Sequence, residues 1–171
     1  LDAVSPFVSS RELRIVDPSC GAGAFLVAAA ERWPRAELLG VELNARSAGL
    51  CRQRLGGSRA TIVTGNALLD DWLPPPGDTF ELWVGNPPYN GTSPLLKSPR
   101  AWARACSWLP TDVALQPGTS LREDFVFFLL RASLRLTKTR GALAFITSAT
   151  LLDAWAHEPI RNALTSRMLL R

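Results

Sequence analysis

The sequence predicts an α/β fold: a mostly parallel sheet of about five strands with helices on both faces. Three observations predict it. Short apolar runs of strand length alternate with longer Ala- and Leu-rich runs of helix length, a rhythm that implies right-handed crossovers. Helix-stopping residues, Pro34 and the pair Gly56-Gly57, fall between them. Polar residues, namely Asp17, Glu42, Asn66 and Asn86, stand at or just past the C-terminal ends of successive strands. In open parallel sheets that edge is where ligands bind.

Leu13-Arg14-Ile15-Val16 is the first strand, ended by Asp17, and Pro18-Ser19-Cys20-Gly21-Ala22-Gly23 is a tight turn of small residues. Ala24 to Trp33 is a helix stopped by Pro34. Ala36 to Val41 is the second strand, with Glu42 at its end. Asn44 caps a second helix that runs to about Leu55, where Gly56-Gly57 closes it. Ala60 to Thr64 is the third strand, followed by Gly65-Asn66-Ala67. Phe80 to Val84 is the fourth, buried strand, and it feeds Asn86-Pro87-Pro88-Tyr89 through Gly85. Residues 90–120 form an irregular loop insertion, with a short helix from Ala101 to Trp108 inside it. Leu121 to Leu136 is an amphipathic helix with Phe125, Phe128, Leu129, Ala132 and Leu136 on one side, closed by Gly141. Ala142 to Ile146 is the fifth strand, and a helical segment runs from about Leu151 to Met168.

At 171 residues the chain suits one domain with one core. No apolar stretch reaches the roughly 18 residues of a membrane span, and Leu1 to Arg11 lacks the pattern of a secretory signal. Cys20, Cys51 and Cys106 are odd in number and lack Cys-x-x-Cys spacing, which favours reduced thiols and a cytoplasmic setting. The single histidine, His157, cannot complete a metal site with them and is expected to be solvated on a helix. A net charge of +4 permits a polyanionic partner. The basic residues after the central loop, among them Arg100, Arg104, Arg131 and Arg135, are expected to form a solvated helical face.

The loop Asn86-Pro87-Pro88-Tyr89 carries the chemistry. Asn86 offers a carboxamide oxygen, and each proline keeps its carbonyl while losing its N–H. Pro88 disfavours a helical conformation at Pro87, so the loop is stiff and extended there. Tyr89, the only tyrosine, supplies an aromatic face. Two acceptors and a ring suit a planar group that bears an amino substituent.

The glycine turn bears on the cofactor. Gly21-Ala22-Gly23 begins a dinucleotide fingerprint, but Leu26 stands where its third glycine belongs. Asp17 would repel a phosphate. A ligand that is cationic near the turn and carries a ribose diol fits better, and S-adenosylmethionine is such a ligand. Its ammonium and sulfonium would lie near Asp17, its ribose hydroxyls near Glu42, and its adenine amino group near Asn66.

Asp17-Pro18-Ser19-Cys20-Gly21-Ala22-Gly23-Ala24-Phe25-Leu26 resembles the first motif of N6-adenine DNA methyltransferases, and Asn86-Pro87-Pro88-Tyr89 resembles their catalytic motif. The run from Leu121 to Leu152 is similar to the following helix and strand of the large restriction-modification methylases. The resemblance implies a Rossmann-like S-adenosylmethionine-dependent methyltransferase core over 1–171. It implies cofactor contacts from Asp17, Pro18, Cys20, Gly21, Gly23, Phe25, Glu42, Leu43, Asn66, Ala67 and Asn86. Catalysis falls to Asn86, Pro87, Pro88 and Tyr89, acting on an adenine rotated out of double-stranded DNA.

Three departures stand out. Asn66 occupies a place where the family mostly has Asp. Pro6-Phe7 is at best a remnant of the N-terminal cofactor motif. The sequence ends after the fifth strand and its helix, so a target-recognition domain or subunit is expected elsewhere. The catalytic loop is shared with methyltransferases acting on protein glutamine or on RNA amines, and an incomplete core could also bind DNA without turnover. A nicotinamide dehydrogenase is disfavoured by Asp17 and the missing third glycine.

Overall fold

The computed structural model describes residues 1, 6, 8, 13–72, 79–89, 98–109, 123–136 and 141–168. Phe7, and most of the loop expected over 90–120, lie outside the described residues. The chain divides into two compact units, one formed by Leu1–Asn86 with Arg135–Phe145, the other by Pro87–Leu134 with Ile146–Arg171.

The first unit holds a five-stranded, all-parallel sheet. Its strands are β1 (Arg14–Asp17), β2 (Glu37–Glu42), β3 (Ala60–Thr64), β4 (Leu82–Gly85) and β5 (Ala142–Phe145). Their spatial order is β3-β2-β1-β4-β5. The chain leaves β1 in one direction and returns to its other side at β4, so the order reverses between these two strands. A crevice outside their carboxyl ends follows from that reversal. Asp17 ends β1 and Gly85 ends β4, one on each side of it.

Helices α1 (Ala24–Arg32) and α2 (Ala45–Arg54) are the crossovers. Asn44 starts α2 as expected, its Oδ1 accepting the N–H groups of Arg46 and Ser47 at 3.0 Å each. Close packing explains a glycine within β2. A Cβ on Gly40 would stand 2.8 Å from methyl carbons of Ile62 and Leu26 and 2.9 Å from the Cys20 sulfur. Its absence lets the α1 side chain Leu26 bury fully against the sheet, worth about 1.5–3 kcal/mol. Ile15, Val16, Val41, Leu82, Trp83 and Val84 complete a dry centre. The fourth strand starts later than the sequence implied. Phe80 makes an isolated bridge to Leu136, and the regular ladder begins at Leu82. Phe80 and Trp72 pack edge-on around Trp83.

In the second unit, α3 (Pro99–Cys106) starts behind Ser98 with Pro99 in its first turn, and α4 spans Asp124–Arg135. Two expectations fail here. Helix α4 is not one-sided: every residue from Asp124 to Ala132 is buried, so its apolar content serves more than one face. Arg131 is not part of a solvated face either. It is buried, with its guanidinium 4.4 Å from the Trp108 ring centre, and Arg104 lies over the same indole at 4.1 Å.

The C-terminal segment is also not one helix. It breaks into α5 (Thr150–Asp153), a 3₁₀ turn (Trp155–His157) and α6 (Glu158–Thr165). Ala154 is extended there, and Pro159 sits in the first turn of α6. His157, expected in solvent, is 5% exposed. Its Nδ1 donates to the Thr150 carbonyl at 2.9 Å, and its Nε2 meets a Glu123 carboxylate oxygen at 2.7 Å. Its ring also packs against Phe125.

Candidate active site at the carboxyl edge of the sheet

The first unit brings the acidic and glycine-rich residues to one edge. Asp17 is 1% exposed, and its Oδ1 accepts the Ser19 N–H at 3.0 Å. Glu42 reaches across from β2. One of its oxygens accepts the Gly21 N–H at 2.9 Å, the other the Asn44 N–H at 2.7 Å. The turn is further tied to β2 by the Cys20 N–H, which donates to the Val41 carbonyl at 3.0 Å. Gly23 has φ +86° and lies where a Cβ would stand 2.6 Å from the Cys51 sulfur of α2, so both backbone angle and space demand glycine.

This geometry selects among ligands. In a phosphate-binding turn the backbone amides point at the anion. Here the Ser19 and Gly21 amides are engaged by carboxylates of the protein itself. Two carboxylates converge instead. Burial pushes the Asp17 carboxyl up from 3.8 to about 7, partly offset by the Ser19 amide, with the nearby Glu42 charge adding to the rise. A site that gathers negative charge suits a cationic ligand with hydroxyl groups. S-adenosylmethionine meets both requirements, so the residues present fit it.

The remaining expected contacts are spread along the same edge. Pro18 is buried beneath the turn, Phe25 is partly buried on α1, and Leu43 is 64% exposed just beyond Glu42. Burial raises the Cys20 thiol well above its ordinary range, which suits a packing role and not a nucleophile. Asn66 and Ala67 form the turn after β3. The Asn66 side-chain oxygen accepts the Leu68 N–H at 3.0 Å, and the Ala67 carbonyl accepts the Trp72 indole N–H at 2.8 Å. Sequence reasoning missed Asp70, whose carboxylate accepts the Asn66 N–H at 2.7 Å; its place four residues on was the available signal.

Strand β4 ends at the same edge, in Gly85 and then Asn86. A Cβ on Gly85 would stand 2.8 Å from Asp17 Oδ1, so β4 passes against the acid that precedes the glycine turn, immediately before Asn86. Asn86 is exposed, Pro87 buried, Pro88 exposed, and Tyr89 44% exposed. A cavity of about 660 Å³ lined by Arg14, Glu37, Thr61, Trp72 and Phe80 lies instead toward the strand starts, and none of Asp17, Glu42, Asn66 or Asn86 borders it. Among the described residues, no group of three or more His, Cys, Asp or Glu could hold a metal ion.

The N-6 DNA methylase family profile matches residues 4–171. The chain belongs to the N-6 DNA methylase family. Among curated proteins it is 29% identical over 164 residues to modification methylase CviBIII of Paramecium bursaria Chlorella virus NC1A, covering 96% of this chain and 38% of that one. It is 29% identical over 158 residues to type II methyltransferase M.XamI of Xanthomonas campestris pv. amaranthicola, covering 91% and 29%. The chain thus spans about a third of the length of these relatives. The fold is that of S-adenosylmethionine-dependent methyltransferases. A Listeria monocytogenes structure described as a class I member of that group superposes with a TM-score of 0.72 at 14% identity, over 96% of this chain and 48% of that one. TrmN from Thermus thermophilus superposes at 0.56 with 19% identity, over 95% and 40%. No helix among the described residues is long and apolar enough to cross a membrane.

Proposed function

We propose that this N-6 DNA methylase core transfers a methyl group from S-adenosylmethionine to the exocyclic N6 amine of adenine in double-stranded DNA, as the modification activity of a restriction-modification system. The observation that carries this reading is the contact of Gly85 with Asp17. It sets the acidic glycine turn beside the strand end that leads into Asn86, where the strand order reverses. The modification methylases to which the chain is similar support the DNA substrate.

In this reading Asp17 and Glu42 hold the ammonium and ribose ends of the cofactor, with Leu43 and Asn66 at its adenine. When bound, S-adenosylmethionine supplies an electrophilic methyl group on a sulfonium. The adenine amine is a poor nucleophile because its lone pair is delocalised into the ring. Asn86 Oδ1 and the Pro87 carbonyl accept its two N–H bonds. They favour a pyramidal nitrogen and stabilise the positive charge that develops there. The stiffness that Pro87 and Pro88 impose keeps both acceptors aimed. As the N–C bond forms, the methyl–sulfur bond would break with its electron pair returning to sulfur, leaving S-adenosylhomocysteine; the nitrogen becomes acidic, and one proton leaves to solvent without a strong base. Tyr89 stacks on the base, which must first leave the duplex at a cost of about a few kcal/mol. Target recognition would fall to a further domain or subunit, a reading supported by the chain's spanning 38% and 29% of the modification methylases it matches.

The test offers labelled cofactor with duplex DNA, RNA and protein to the full-length protein. Label in N6-methyladenine is the expected outcome. Label on glutamine or on an RNA amine would replace the DNA reading.

A further inference from the structure

We infer that Gly85, although it belongs to the strand bearing the catalytic loop, determines cofactor affinity by fixing the Asp17 carboxylate against the glycine turn. The inference rests on the reading that the cofactor binds at this edge.

Asp17 Oδ1 is held from two sides. The Ser19 amide donates to it from the turn at 3.0 Å, and Gly85 abuts it on β4, where an added Cβ would lie 2.8 Å from Oδ1 and 3.5 Å from Cγ. The carboxylate has no easy retreat. Solvent does not reach it, and Glu42, of like charge, lies on the side of β2. The same Cβ would already be in van der Waals contact with the Phe145 ring of β5 at 3.5 Å, which leaves it little room to move away from Asp17. A methyl group at position 85, besides straining the backbone at a φ of +155°, therefore pushes the carboxylate from the position in which it accepts the Ser19 N–H. That bond shapes the turn into which the cationic end of the cofactor must fit. Gly85 is in this sense a positioning residue for the cofactor site, acting through Asp17.

The experiment is a double-mutant cycle on cofactor affinity in the full-length protein, read by calorimetry with S-adenosylmethionine and S-adenosylhomocysteine. Gly85→Ala is expected to raise Kd at least about tenfold, a loss of about 1.4 kcal/mol. In an Asp17→Ala background the same change is expected to alter Kd less than about twofold, since the group it displaces is gone. Equal effects in both backgrounds would assign the cost to backbone angle or to Phe145 and overturn the inference. So would unchanged affinity in Gly85→Ala. Should Gly85→Ala fail to fold by circular dichroism, folding regained when Asp17→Ala is added supports the contact with the carboxylate, and failure to fold in both backgrounds overturns the inference. A wild-type protein that binds neither ligand would instead remove the cofactor reading, and the inference with it.

Discussion

At the residue scale, Asn86 and Asp17 do different work, and mutation should separate them. Asn86→Ala would remove one of the two acceptors proposed for the developing charge. Loss of such a group costs about 10²–10³ in rate, and the cofactor Kd should stay within about threefold. Single-turnover methyl transfer and calorimetry on the same preparation check both halves. Asp17 carries a stability cost that depends on pH. Its carboxyl is raised in the folded protein from 3.8 to about 7, so the folded state holds a proton that the unfolded state has lost between those values. Stability attributable to this group therefore falls as pH rises from about 4 to about 7 and is level above that. Asp17→Asn should melt higher than wild type at about pH 8 without cofactor, by about 2–4 °C for each kcal/mol relieved, and should lose that advantage near pH 4. It should also bind cofactor more weakly, a trade of stability for function that scanning calorimetry and titration would register together.

At the scale of elements, the glycine turn and the C-terminal helices make separate demands. Gly23→Ala places a methyl 2.6 Å from the Cys51 sulfur at a φ of +86°, so it should destabilise by about 1–3 kcal/mol. Adding Cys51→Ala should return only the steric part, as read from urea midpoints. In the second unit, His157→Ala takes the ring partner from the buried side of the Glu123 carboxylate and leaves the Thr150 carbonyl with the Ala154 N–H alone. It should cost about 1–3 kcal/mol, whereas the exposed Arg100→Ala should stay within about 0.5 kcal/mol. The sequence hid this histidine because its partner lies thirty-four positions away, and periodicity reports only local neighbours. The burial of Arg131 was hidden in the same way, since nothing local announces an indole at Trp108. The capping of α2 by Asn44 was legible because a cap is a contact within three residues.

At the scale of the whole molecule, the parallel sheet and the edge that gathers Asp17, Glu42, Asn66 and Asn86 were legible from the alternation of runs. The order of the strands was not. That order puts β1 beside β4 and so brings Gly85 against Asp17, a long-range consequence of packing that no short pattern encodes. The division into two units was likewise not legible, because the chain crosses between them three times, at 86/87, 134/135 and 145/146, and one crossing falls inside α4. The most direct measurement is nucleoside mass spectrometry of duplex DNA treated with the full-length protein and S-adenosylmethionine, beside its Asn86→Ala variant. N6-methyladenine should appear with wild type and fall by about two to three orders of magnitude with the variant. N6-methyladenine formed equally by both, or a methyl found on cytosine alone, would contradict the assignment of Asn86 and the adenine substrate.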